Sequence, residues 1–368
     1  MNPVSDPRSP IPDPHPRRIM ILAGGTGGHV FPALAVADDL LERGHELFWM
    51  GTKNGLEARL VPAKGIPIDW LAVTGLRGKS GMARLKAPFM LLLACGQAAR
   101  ILMRRKPDVV LGMGGFVAGP GGLMAWLLRI PLVIHEQNRI PGTTNRLLAR
   151  RARKVLEAFP KSFEAPVGAV WTGNPLRKVI AELSPGSLPR GNDDVHLLVL
   201  GGSQGAQILN QTVPKAAAKL GGTRIEVRHQ SGRAMQAETE GLYQSLGITA
   251  RVDAFIEDMA LAYRWAEVIV CRAGAMTISE LCAAGLASIL VPFPYAIDDH
   301  QTHNARWLSD AGAAILLPQP ELNPESLKEK LEQLLDDKRR QAMSKAARSL
   351  ARLDAARTVA DICLAEAG

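Results

Sequence analysis

Three glycine clusters hold most of the chemistry-bearing residues in this chain. They are Gly24-Gly25-Thr26-Gly27-Gly28-His29, the stretch from Gly112 to Gly122, and Gly201-Gly202-Ser203-Gln204-Gly205-Ala206. A glycine loop opening a helix exposes backbone N–H groups and the positive end of the helix dipole, which suits a phosphate or pyrophosphate. The same loop also serves as a bare strand-to-helix turn. Dinucleotide binding is disfavoured: Gly25-x-Gly27 is followed by Val30 instead of a third glycine, and Phe48-Trp49-Met50-Gly51-Thr52 offers no acidic partner for a ribose. No Gly-Lys-Ser/Thr closes any cluster, so a Walker A loop is excluded.

Two further groups admit two readings each. Thr277-Ile278-Ser279-Glu280 has the spacing of a capping box, and spacing alone favours that over Glu280 binding ribose hydroxyls. His300 and His303 follow Asp298-Asp299, as a metal cluster or as a polar loop at a helix start; no convincing third ligand stands nearby.

The elements around these residues alternate. Apolar runs at Arg18–Ala23, Asp108–Leu111, Pro131–Ile134, Val195–Leu200, Glu267–Cys271 and Ser288–Val291 read as buried parallel strands. Helices are expected from Ala33 to Leu41, Leu123 to Leu128 and Met276 to Ala284. Both halves begin with a strand, a Gly-Gly-x-x-Gly turn and a helix. The pattern predicts an α/β chain of two doubly wound domains with a seam near Gly173-Asn174-Pro175. Two facing domains would place ligand in the cleft between them. The length of 368 residues agrees with two domains.

Composition narrows the partners. Lys+Arg number 44 and Asp+Glu 35, a net charge of +9 that favours anionic partners. One reading of that charge is a non-catalytic nucleic-acid-binding protein, but only 5% of residues are aromatic and no RNA- or DNA-binding signature stands out. Cys95, Cys271, Cys282 and Cys363 form no CxxC and read as reduced core thiols of a cytoplasmic protein. Residues 1–17 are a Pro-rich tail, expected to be disordered, without the apolar core of a secretory signal. The longest apolar stretch, Pro88 to Met103, is interrupted by Gln97 and Arg100 and is too short to span a membrane. With Lys86 before it and Arg104, Arg105 and Lys106 at its end, it reads either as an interfacial segment on anionic lipid or as a buried helix with a basic cap. The run Arg146, Arg150, Arg151, Arg153 and Lys154 reads as a solvated helix face in preference to another anionic contact.

Taken in order, several motifs resemble one family. They are Gly24–Pro32, His135-Glu136-Gln137-Asn138, Gly173-Asn174-Pro175-Leu176-Arg177, Gly201–Ala206, Ala275–Glu280 and Asp299-His300-Gln301. From about residue 18 onward the chain is similar to the bacterial peptidoglycan N-acetylglucosaminyltransferases of glycosyltransferase family 28. That resemblance implies the GT-B fold, two Rossmann-like doubly wound parallel-sheet domains facing a cleft. Residues 18–174 would form the acceptor and membrane-side domain, 175–350 the UDP-GlcNAc-binding domain, and a last helix, about 351–368, would pack back on the first. The implied reaction is inverting, metal-independent transfer of GlcNAc from UDP-GlcNAc to the MurNAc 4-hydroxyl of undecaprenyl-pyrophosphoryl-MurNAc-pentapeptide (lipid I), giving lipid II. The alternative within the fold is another nucleotide sugar or lipid acceptor.

Carried over by motif, the implied donor contacts are Thr26, Gly27, Gly28, Asn138, Arg177 on the diphosphate, Ser203, and Ile256 against uracil with its backbone reading the base edge. Ala275, Met276, Thr277, Ile278, Ser279 and Glu280 would surround the ribose, and Gln301 would contact the sugar hydroxyls. No cofactor and no metal are implied. The implied partners are the two substrates, an anionic membrane surface and other cell-wall synthesis proteins, with no nucleic acid. The implied place is the cytoplasmic face of the inner membrane. His29 is the expected general base, because imidazole titrates near ~6.5; His135 and Glu136 are its rivals.

Overall fold

The computed structural model describes residues 15–73, 87–184, 194–202, 205–221 and 225–368. The expectations for most of the Pro-rich tail, for Lys86 and for Ser203 lie outside the described residues. The chain divides into two compact units, one of Met1–Arg177 with Asp354–Gly368 and one of Lys178–Leu353.

In the first unit the chain order is β1 (Arg18–Ala23), α1 (Gly27–Glu42), β2 (Glu46–Gly51), β3 (Ile68–Trp70), α2 (Ala87–Arg105), β4 (Val109–Gly114), α3 (Ala118–Leu127), β5 (Leu132–Glu136), α4 (Thr143–Ala149), β6 (Lys154–Glu157) and β7 (Val170–Trp171). The strands form one parallel sheet in the order β3-β2-β1-β4-β5-β6-β7. Both faces are covered, so β1 and β4 are buried along nearly their whole length. One face packs Val30, Ala33 and Leu40 of α1 on Ile19 and Ile21. The other packs Ala98 and Leu102 of α2 and Ala125 of α3 on Met20 and Leu22.

The second unit repeats the device with β8 (Val195–Leu200), α5 (Gln207–Ala218), β9 (Ile225–Gln230), α6 (Gln236–Ser245), β10 (Ala250–Asp253), α7 (Met259–Trp265), β11 (Val268–Cys271), α8 (Ala275–Ala284), β12 (Ala287–Leu290), α9 (His300–Asp310), β13 (Ile315–Leu316), α10 (Pro324–Leu335) and α11 (Asp337–Ser349). Its parallel order is β10-β9-β8-β11-β12-β13. The last helix, α12 (Ala355–Ala367), belongs to the first unit, where Val359, Ala360 and Cys363 enter the core that α1 covers. All four cysteines are buried thiols.

Three boundaries differ from expectation. Helix α1 starts at Gly27, so Gly27, Gly28 and His29 form its first turn instead of a free loop. Helix α3 starts at Ala118, taking in Gly119–Gly122. A Cβ on Gly121 would stand 2.8 Å from Leu22 Cδ1, and one on Gly122 would stand 2.8 Å from Leu148 Cδ1. Gly121 lets α3 lie close on β1 and Gly122 lets it lie close on α4; they are packing residues and not a phosphate loop. The basic run does not form one helix face: α4 ends at Ala149, and Lys154 opens β6.

Candidate active site

Ligands of open parallel sheets bind beyond the carboxyl ends of the strands, where the strand order reverses. In the first unit that point lies between β1 and β4. The turn after β1 is held from beneath by Glu57, a fully buried carboxylate. It accepts from Gly25 N (2.9 Å), Thr52 N (2.8 Å) and Thr52 Oγ1 (2.7 Å). Gly24, Gly51 and Gly55 leave room for it, since a Cβ on any of them would meet its side chain within 2.8 Å. Nothing in the sequence marks Glu57. The Gly25 amide is therefore engaged, and the donors left at this corner are those of Gly27 and Gly28 behind the exposed cap residue Thr26.

His29 is half-buried on α1, and its Nδ1 lies 2.9 Å from Gln137 Oε1. Its ring rests on Gly114, at the end of β4, where a Cβ would come 2.6 Å from Nδ1. The rivals of His29 are both committed elsewhere. His135 is buried; its Nε2 donates to Gly173 O at 2.9 Å, and desolvation lowers its pKa to about 4. Glu136 Oε1 accepts from Asn138 N (2.9 Å), and Oε2 accepts from Gly142 N (3.0 Å) and Asn145 Nδ2 (2.9 Å). Asn138 follows β5 at the same edge of the sheet. Arg177 sits over the Phe31 ring of α1, 5.7 Å from its centroid, and so also stands beside the first turn of that helix.

In the second unit the turn after β8 is tied to the turn after β10 by Gln230. Its Nε2 donates to Gly202 O (2.9 Å), and its Oε1 accepts from Ile256 N (3.0 Å). The Ile256 side chain is buried and its N–H is engaged by Gln230. Gly205 has φ +77° and would place a Cβ 2.0 Å from Ser231 O, so only glycine fits there.

The capping-box reading of Thr277–Glu280 is overturned. Gly274 is the N-cap, with ψ 144°, and α8 begins at Ala275, so Thr277 lies two residues inside the helix. Glu280 is half-buried and accepts from Tyr263 Oη at 2.8 Å. Met276, Thr277 and Ser279 are also half-buried on this helix, whereas Ala275 and Ile278 face the core. Gln301 Oε1 accepts from Phe293 N at 3.0 Å, fixing the chain beyond β12. His300 and His303 lie on α9, and among the described residues no three His, Cys, Asp or Glu side chains gather as a metal site.

The sequence matches the glycosyltransferase family 28 N-terminal domain over residues 19–157 and the family's C-terminal domain over residues 196–359. It is 65% identical over 353 residues to the UDP-N-acetylglucosamine--N-acetylmuramyl-(pentapeptide) pyrophosphoryl-undecaprenol N-acetylglucosamine transferase of Methylococcus capsulatus, covering 96% of this chain and 99% of that one. The chain belongs to glycosyltransferase family 28. The enzyme of the same description from Nitrosococcus oceani is 56% identical, covering 94% of this chain and 98% of that one. The crystal structure of Acinetobacter baumannii MurG superposes with a TM-score of 0.82 at 40% identity, covering 95% of this chain and all of that one. The calicheamicin glycosyltransferase CalG4, at 19% identity and TM-score 0.70 over 96% of this chain and 98% of that one, shares the fold.

Membership in family 28 makes the chain a glycosyltransferase of GT-B fold and sets aside the non-catalytic reading of its charge. The apolar segment on α2 is neither wholly interfacial nor wholly buried. Ala98, Ile101 and Leu102 face the core, while Phe89 and Leu92 are each 72% exposed and Leu91, Leu93 and Met103 are exposed with them. Arg104 and Arg105 both pair with Asp69. No helix among the described residues is long and apolar enough to cross a membrane.

Proposed function

We propose that this chain transfers GlcNAc, with inversion, from UDP-GlcNAc to the MurNAc 4-hydroxyl of undecaprenyl-pyrophosphoryl-MurNAc-pentapeptide, forming lipid II. Near-full-length identity to transferases described by that reaction carries the reading. The second unit takes the donor: Glu280 receives the ribose hydroxyls, the Ile256 carbonyl the uracil edge, and Gln301 the sugar. Arg177, Ser203, Thr26, Gly27, Gly28 and Asn138 complete the donor set. Positive charge and amide dipoles aimed at the leaving diphosphate stabilise its growing negative charge, which removes the need for a metal.

His29 is the general base that takes the acceptor proton. Its place at the reversal point of the first sheet supports this, as does the engagement of His135 and Glu136 in holding the fold. The lipid-borne acceptor is met by the exposed apolar face of α2, which seats the protein peripherally on the cytoplasmic face of the inner membrane.

A transfer assay with UDP-GlcNAc and a lipid I analogue in EDTA tests donor, acceptor and metal independence together. Turnover is expected. Donor binding without transfer to this acceptor would redirect the reading to another acceptor.

A further inference from the structure

The polar groups behind His29 can be assigned proton by proton. His135 Nε2 faces the carbonyl oxygen of Gly173 at 2.9 Å. A carbonyl only accepts, so Nε2 carries the hydrogen. The ring is fully buried and neutral at physiological pH, so His135 Nδ1 is a lone pair. Gln137 Nε2 lies 3.2 Å from that Nδ1 and 3.2 Å from the His135 carbonyl oxygen. Both are acceptors, which orients the amide with its NH₂ end toward His135 and its oxygen toward His29. Gln137 Oε1 is then an acceptor 2.9 Å from His29 Nδ1, and that nitrogen must donate. In a neutral imidazole the other nitrogen keeps its lone pair. Among the described residues, His29 Nε2 has no hydrogen-bond partner.

We propose that Gln137 and His135 are positioning residues: a hydrogen-bond relay anchored on the Gly173 carbonyl holds His29 as the Nδ1–H tautomer and leaves Nε2 as the basic nitrogen. Gln137 is 1% exposed, so water cannot replace its bond to His29 from behind. Gly114 serves the same end, since the space behind Nδ1 admits no Cβ. The proposal rests on His29 being the base. In the transfer, the acceptor oxygen bonds to the anomeric carbon as the bond from that carbon to the diphosphate breaks, and UDP departs with the electron pair. The hydroxyl proton goes to His29 Nε2, and Nδ1–H stays bonded to Gln137.

The test is long-range ¹H–¹⁵N correlation NMR on the full chain labelled with ¹⁵N-histidine, with the His29 signals identified by their loss in His29→Gln. Wild-type protein is expected to show His29 with a protonated Nδ1 and an unprotonated Nε2 at neutral pH. In Gln137→Met that preference should be lost and kcat should fall about 10-fold or more, with KM for UDP-GlcNAc unchanged. A wild-type spectrum with the hydrogen on Nε2 overturns the proposal, and it does so whether or not the variant folds. Wild-type kcat in a folded Gln137→Met protein overturns it as well. His29→Gln tests the base reading separately, because normal turnover there dismisses the base while the wild-type spectrum still decides the tautomer.

Discussion

The hydroxyl of Tyr263 on α7 donates to Glu280 Oε2 on α8 at 2.8 Å, so the carboxylate expected on the ribose is already oriented by its own unit. Removing that donor takes away a bond that orients the Glu280 carboxylate. Tyr263→Phe is expected to raise KM for UDP-GlcNAc about 3- to 10-fold with kcat little changed, the scale of one hydrogen bond to a charged group. Glu280→Ala should weaken donor binding further. Steady-state kinetics with the acceptor held saturating would show this; an unchanged KM in Glu280→Ala removes it from the donor site.

Glu57, itself fully buried, satisfies three donors beneath the first turn. Glu57→Ala strands all three. A loss of about 2–4 kcal/mol in unfolding free energy is expected by urea titration. A variant as stable as wild type would show that the turn does not depend on this carboxylate.

Gly205→Ala forces a side chain against Ser231 O at a φ of +77°. Backbone strain and the clash should displace the turn after β8, costing stability and lowering affinity for UDP by about 10-fold or more. Titration calorimetry with UDP checks the second part, and wild-type affinity would separate this turn from nucleotide binding.

Two buried imidazoles make stability depend on pH. Burial lowers the pKa of His135 to about 4 and that of His229 to about 3, both from 6.5. Well above 6.5, folded and unfolded chains hold both rings neutral and no linkage acts. As pH falls through 6.5 the unfolded chain binds protons that the folded chain refuses, so stability declines with falling pH until each ring titrates in the folded state. For His135 this amounts to roughly 3 kcal/mol at most. Urea midpoints should therefore drop between about pH 7 and pH 4, and His135→Gln should flatten part of that drop. A drop undiminished in that variant would show that the slope comes from other groups.

Leu91 and Leu92 are exposed on α2 while Ala98 and Leu102 hold the helix to the sheet. Leu91→Glu/Leu92→Glu is therefore expected to keep the fold and release the protein from anionic vesicles, by at least about 10-fold in partitioning. Cosedimentation measures it, and undiminished binding of the folded variant rejects this patch as the membrane contact.

The sequence by itself determined the strand–turn–helix alternation, because buried parallel strands are continuous apolar runs and the turns after β1 and β8 need glycine. It also determined the family, because ordered motifs survive as strings. Tertiary structure decided the partners. Glu57 lies far along the chain from the turn it supports, and Gln137 and Gln230 are ordinary amides until folding sets them between two groups. The second glycine cluster looked like the other two, yet Gly121 answers to Leu22 on β1 and Gly122 to Leu148 on α4. The Thr277–Glu280 spacing misled because a cap depends on where the chain turns extended, at Gly274, and on the angles there. Hydrogen bonds and packing join residues distant in the chain, and spacing along the chain cannot state such distances.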